Sequence, residues 1–235
     1  WGYTVIIEPH FDPMLYFWPV ENCAFVAHVQ NIDDDHTKRL VRASLRDGAQ
    51  TTGIDFSLED KRQVSILLDR LGIDYIEGGY PGANPLDSEF FASKPVKTSQ
   101  FVAFGMTKRA GRSVDNDTGL AASLDNAADA VCLVAKSWDY HVHVALGTTL
   151  DENLDSIADS IKLARSHGRE AILDCEHFFD GYKANPEYAL RILSTANSAG
   201  ADWLVLCDTN GGTLPLEMIP RFQTTKNYPF RELFF

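Results

Sequence analysis

The sequence predicts an α/β fold built on a parallel sheet. Three observations carry this. From about Ser57 onward, short apolar runs alternate with longer amphipathic stretches. The short runs are apolar nearly throughout rather than alternating, which suits parallel strands covered on both faces. They also recur at a spacing of about 30 residues, the length of a strand–helix unit. With 235 residues, 45% of them hydrophobic and 23% charged, the chain is ordinary for a globular protein and too apolar for a disordered one.

Five strands are expected, over 73–77, 101–106, 130–135, 170–175 and 203–207. The first clear helix starts on Leu58-Glu59-Asp60-Lys61 and continues through Val64, Leu67, Leu68 and Leu71, apolar at i, i+3, i+4 and i+7. Gly72 follows it, where a helix end favours glycine. A second helix spans 152–167, with Leu154, Ile157, Ile161 and Ala164 on one face and Gly168 after it. Asn185-Pro186 opens a third by the cap-then-proline rule, and Gly200 closes it. Residues 40–45 admit two readings. One is a sixth strand. The other is a helix starting at Asp33-Asp34-Asp35, with Leu40, Val41 and Leu45 as its stripe and Gly48 as its stop. The first 40 residues differ in kind: aromatic and β-branched runs at 3–8, 14–20 and 24–29 are punctuated by Pro9, Pro13, Pro19 and Asn22. They suggest a small N-terminal antiparallel β element.

Charge narrows the function classes. Lys and Arg number 21 against 33 Asp and Glu, a formal net charge of −12. A field of that sign repels phosphate backbones, so nucleic acid is not the expected partner. No apolar run approaches the ~20 residues that span a bilayer, so neither is a membrane. The four cysteines, Cys23, Cys132, Cys175 and Cys207, form no CxxC pair, and the last three sit in apolar runs. They read as buried reduced thiols. No basic-then-apolar leader opens the chain, and a cytoplasmic protein is the expectation.

Functional residues of parallel α/β proteins gather at the C-terminal ends of strands. The ends here are polar: Arg46-Asp47-Gly48, Glu77-Gly78-Gly79, Lys136-Ser137-Trp138-Asp139, Asp174-Cys175-Glu176-His177 and Asp208-Thr209-Asn210-Gly211-Gly212. Asp, Asn, Ser and Thr also cap helices, so any one end has a plain structural reading. Five together favour a site. Two further candidates are the basic loop Lys108-Arg109-Ala110-Gly111-Arg112, which could meet an anion or stand in solvent, and Glu8, His10 and Asp12, which alternate at strand spacing.

These segments carry a resemblance. Leu45-Arg46-Asp47-Gly48-Ala49-Gln50, Asp74 to Gly82, Lys136-Ser137-Trp138, the stretch Glu-His-Phe-Phe-Asp-Gly-Tyr-Lys from Glu176, and Cys207 to Pro215 resemble the citramalate synthases, a branch of the isopropylmalate and homocitrate synthase family of TIM-barrel acyltransferases. The resemblance covers about residues 43 to 220. It implies a metal-assisted condensation of acetyl-CoA with an α-keto acid, pyruvate in this branch, on a route to isoleucine or leucine. It implies a (β/α) barrel. It also implies roles. Arg46 stabilises the enolate or oxyanion, a fixed cation without proton ambiguity. Glu77 holds the Arg46 fork. Glu176 assists proton transfer, and Thr209 grips the keto acid's carboxylate. Asp47, a hard oxygen donor, ligates Mg²⁺ or Mn²⁺, which takes up alkoxide charge.

The chain departs from that pattern in three places. The family's His-x-His metal pair, expected on a strand after Asp208-Thr209-Asn210-Gly211-Gly212, has no counterpart; His141-Val142-His143 comes two strands too early and is read as a loop or helix start. Arg42-Ala43-Ser44 stands where the family has Asp-Thr-Thr, so the first barrel strand is expected to be lost or replaced. Residues 223–235 resemble nothing in the family. The expectation is therefore three parts: an atypical β-rich segment over 1–40, a partial barrel over 41–222, and an atypical tail over 223–235. At about 30 residues per unit the barrel part holds about six units, where eight close a barrel. An open sheet edge invites pairing with another chain, so a homo-oligomer is expected. Two alternatives stay open: a truncated or fused relative without catalysis, and an acyl-CoA lyase or aldolase of the same superfamily.

Overall fold

The computed structural model describes residues 26–28, 40–214, 217 and 233–234. Its sheet has eight strands in sequence order: β1 (Val26–His28), β2 (Leu40–Arg42), β3 (Tyr75–Gly79), β4 (Gln100–Met106), β5 (Ala130–Lys136), β6 (Glu170–Glu176), β7 (Trp203–Leu206) and β8 (Leu233–Phe234). From β2 through β7 six consecutive strands run parallel. The short β8 adds in parallel to β7. Each strand lies beside its neighbour in sequence, with no reversal of order. That is the winding of a barrel rather than of a doubly wound sheet, and the described part is an incomplete (β/α) barrel.

Both sheet faces are covered, which is why the strands lack alternation. On one face Val131, Leu133, Ala135, Ala171 and Leu173 pack against helices α5 (Leu150–Ser166) and α7 (Pro186–Ala199). On the other, Tyr75, Val102, Ala130, Cys132, Ile172 and Trp203 form the lower layer of the barrel interior. At about 25 cal/mol per Å² this two-sided burial supplies most of the driving force.

The helix ends follow their sequence signals. Ser57 caps α1 (Leu58–Arg70) in a capping box, accepting from Asp60 N while Asp60 accepts from Ser57 N. Asn185 caps α7 through Tyr188 N, with Pro186 in the first turn. One apolar face, however, is turned. Val64 and Leu68 of α1 pack on the core, but Leu67 and Leu71 are exposed, and Lys61 and Ser65 are buried instead. The remaining short helices are α2 (Pro85–Phe90), α3 (Thr118–Leu124), α4 (Asp139–His141) and α6 (Phe178–Ala184).

The first barrel strand is present, against the expectation that it is lost or replaced. Residues 40–42 are a strand, not part of a helix. Val41 pairs with Val26 on one side and Tyr75 on the other. Those partners lie far away in sequence, so local periodicity could not weigh them. Of the three N-terminal runs, only Val26–His28 falls among the described residues. It pairs antiparallel with β2; the other two runs, Glu8, His10, Asp12, Asp33 to Asp35 and most of the tail lie outside them.

Candidate active site

The C-terminal ends of β2, β3, β5, β6 and β7 hold the candidate residues. After β2 the chain turns at once: Arg46, Asp47 and Gly48 all donate their N–H to Ala43 C=O. This turn aims Arg46 across to β3, where its Nε donates to Glu77 Oε1, and sets Arg46 Nη1 3.0 Å from Asp47 Oδ1. Glu77 is buried, 4% exposed. The guanidinium also lies 4.1 Å over the Phe104 ring, a cation–π contact. Burial opposes the charge on Arg46, but Glu77, and then Asp47 and Asp174, outweigh it and hold the guanidinium above its ordinary value. Arg46 is a permanent cation with a fixed orientation.

Glu176 lies elsewhere. β5 and β6 pair in register, Lys136 opposite Glu176, and Lys136 Nζ donates to Glu176 Oε2. The loop after β5 is tied to the same residue, since Ser137 Oγ donates to Glu176 C=O at 2.6 Å. Gly181 of α6 allows this packing. A Cβ there would stand 2.4 Å from Ser137 O and 2.9 Å from Trp138 Cα.

Thr209 sits in the exposed loop after β7, where its Oγ1 accepts from His177 N at 2.9 Å. The hydroxyl proton stays available to a ligand acceptor. Asp208 anchors that loop, accepting from Thr213 N at 3.0 Å and Thr213 Oγ1 at 2.9 Å. Asn210 donates to Asp180 at 2.8 Å.

Asp174 connects the two ion pairs. It is on β6, two residues before Glu176 and therefore on the same face. Burial pushes its carboxyl up to about 7, with Glu77 and Glu176 adding repulsion against the pull of a Cys132 hydrogen bond and Arg46. Its interaction with Arg46, Glu77 and Glu176 puts all of them in one field. In the sequence Asp174 is one member of a polar strand end, and nothing local marks it as buried beside Glu77 and Arg46. Lys136 stands in the sequence only as part of a motif; its pairing with Glu176 depends on the strand register.

His177 stands in the sequence as the last residue of that strand end, with no role of its own. It is the one non-glycine with positive φ (56°) among the described residues, a strained conformation that tends to mark functional sites. Its ring meets that of His141 edge-on at 4.5 Å. Desolvation, then His177 and Lys136, lower the His141 imidazole below its ordinary value. His141 and His143 lie on α4 and the π-turn after it, the loop-or-helix start expected of them.

Lys108, the first residue of the basic loop, is neither solvated nor free. It is buried, 3.7 Å from Glu152 and 3.6 Å from Asp159. Cys132 and Cys175 are buried and Cys207 partly so, all as free thiols. Burial, with Asp174 adding, pushes the thiols of Cys132, Cys175 and Cys207 up.

The residues present do not by themselves make a metal centre. Asp47 offers one hard oxygen, and its Oδ1 already accepts from Arg46. Among the described residues no three His, Cys, Asp or Glu side chains gather as a metal-holding group, and divalent cations of this type take about six ligands. No helix among the described residues is long and apolar enough to cross a membrane.

Comparison with known proteins places this geometry. The HMGL-like family model matches residues 38–228. The chain is 50% identical over 188 residues to the (R)-citramalate synthase of Streptomyces coelicolor, covering 78% of this chain and 35% of that protein. It is 52% identical over 179 residues to the (R)-citramalate synthase of Synechocystis, covering 75% and 33%. It therefore spans about a third of the length of these curated relatives. Among solved structures, the HMG-CoA lyase of Bacillus subtilis superposes with a TM-score of 0.63 at 18% identity, covering 81% of this chain and 64% of that one; it supports the fold alone. The sheet order, the strand-end residues and the length of the match together show that the chain belongs to the HMGL-like family, as a partial barrel similar to the corresponding part of the (R)-citramalate synthases.

Proposed function

We propose that the chain is part of a cytoplasmic acyltransferase that condenses acetyl-CoA with pyruvate to give citramalate, toward branched-chain amino acids. The observation that supports this most is the fixed Arg46 guanidinium at the strand ends, in a chain about 50% identical to (R)-citramalate synthases. The reaction removes a methyl proton from acetyl-CoA. The resulting carbanion forms a C–C bond to the ketone carbon, whose oxygen takes up the electron pair and then a proton. Water then cleaves the thioester and releases the CoA thiol. In this reading Arg46 faces the oxygen where negative charge develops, and Glu77 keeps its fork aimed there. A preorganised donor of this kind is worth about 10²–10³ in rate. Glu176, oriented by Lys136, handles the proton. Thr209 donates its hydroxyl to the substrate carboxylate. The Mg²⁺ or Mn²⁺ that the resemblance implies would need ligands beyond Asp47, which does not make a metal centre by itself.

A second reading is a relative that keeps the scaffold without the reaction. It is favoured by the described residues gathering no three His, Cys, Asp or Glu side chains that could hold a metal. One experiment separates them. The purified chain is incubated with acetyl-CoA, pyruvate and Mg²⁺ or Mn²⁺, and free thiol is followed. Turnover that Asp47→Ala abolishes supports the condensing reading. Absence of thiol release supports the second. The assay in graded protein concentration also tests the homo-oligomer that this reading includes, since activity per chain would fall on dilution.

A further inference from the structure

The buried lysine of α1 sits at a telling place. Lys61 is 2% exposed, and its ammonium uses all three donors. It donates to Leu45 C=O at 3.0 Å, to Gly78 C=O at 3.0 Å and to Asp87 Oδ1. Leu45 immediately precedes Arg46, and Gly78 immediately follows Glu77. The two carbonyls therefore flank the Arg46–Glu77 pair, one in the turn after β2 and one on β3. Asp87 is itself held, accepting from Tyr80 N at 2.8 Å and Asn84 Nδ2 at 3.1 Å. It closes against the backbone after Gly78: a Cβ at Gly79 would stand 2.5 Å from Asp87 Cγ.

Stability alone does not account for this arrangement. A buried ion pair is often no more stabilising than apolar side chains of the same size, and Leu67 of α1 and Leu71 just after it are left outside. What a tetrahedral ammonium supplies, and an apolar group does not, is three directed donors at fixed angles. We propose that Lys61 is a positioning residue for Arg46 and Glu77: by tying Leu45 C=O to Gly78 C=O it sets the separation at which the guanidinium fork meets the carboxylate. Its functional meaning rests on the reading of Arg46 given above, but the geometric claim is tested apart from it.

The test is nitrogen-15 NMR of the whole chain, reading the Arg46 Nε–H signal, assigned by its loss in Arg46→Lys. Hydrogen exchange of that Nε–H reports whether it stays bonded to Glu77. Asp87→Asn breaks the ion pair but leaves both carbonyls to the ammonium, so the exchange rate is expected to stay within about twofold of the unsubstituted chain. The double variant Lys61→Met with Asp87→Asn removes the tripod without stranding a buried carboxylate. Its exchange is expected to speed up by about tenfold or more, with circular dichroism matching Asp87→Asn. Equal exchange in the two variants would overturn the proposal. Should the double variant not fold, Lys61→Gln is read at the same signal: faster exchange supports the proposal and an unchanged rate overturns it. Thiol release is not used, so an inactive chain with a protected Arg46 Nε–H refutes the proposed activity and leaves this inference standing.

Discussion

Asp174→Asn should make the protein more stable, and increasingly so as pH rises. The folded carboxyl is pushed up to about 7 from an ordinary 3.8, first by burial and then by Glu77. Below pH ~4 both folded and unfolded chains hold the proton, and the group contributes no pH dependence. Between pH ~4 and ~7 only the unfolded chain releases it, so the side chain weakens the fold as pH rises. Above pH ~7 both are ionised and the full penalty persists. Taken over pH 5 to 8, these values give a change of about 2–3 kcal/mol. Asp174 keeps some contact with solvent, so the lower figure, about 2 kcal/mol, is the expected size. The asparagine variant lacks this term. Urea unfolding of both proteins at pH 5 and pH 8 gives the difference directly. If the two stability curves run parallel across that range, the carboxyl is not held protonated and its place in the shared field of Arg46, Glu77 and Glu176 is misread.

Two other substitutions probe the site and its scaffold. Arg46→Lys keeps a charge but loses the fork toward Glu77 and Asp47, so the rate of the proposed condensation is expected to drop about 10²-fold in the thiol-release assay; a rate within twofold would argue against a role for the guanidinium. Gly181→Ala forces a Cβ to within 2.4 Å of the Ser137 carbonyl, and because backbone cannot yield as a side chain does, it should cost about 1–3 kcal/mol. A thermal midpoint equal to that of the unsubstituted chain would show that the loop after β5 is not packed on α6 as described.

The strands and long helices were legible because their signals are local. The strands show as unbroken apolar runs, and α7 shows as Asn185-Pro186 at one end and Gly200 at the other. What misled was also local. Residues 40–42 carry a helix-like stripe, yet sheet partners at Val26 and Tyr75 decide them. Leu67 and Leu71 fit the predicted apolar face of α1, yet the helix is rotated so that Lys61 reaches the strand ends. At the site, the strand-end motifs point to Arg46, Asp47 and Glu77, and these meet. The same motifs point to Glu176 and Thr209, which contact Lys136 and His177 N.

The sequence by itself determined the class of fold, since two-sided burial writes itself into composition along each strand, and it determined the family, since long motifs are read directly from residue order. Only the tertiary structure decided the electrostatics. The value of a buried charge depends on what stands within a few ångströms of it in a medium of low dielectric, and those neighbours come from different strands. Asp174 is one acid in an apolar run until β6 is set in the barrel beside Arg46, Glu77 and Cys132. Lys61 is one more surface-type lysine until α1 packs and its ammonium finds Leu45 C=O, Gly78 C=O and Asp87 together.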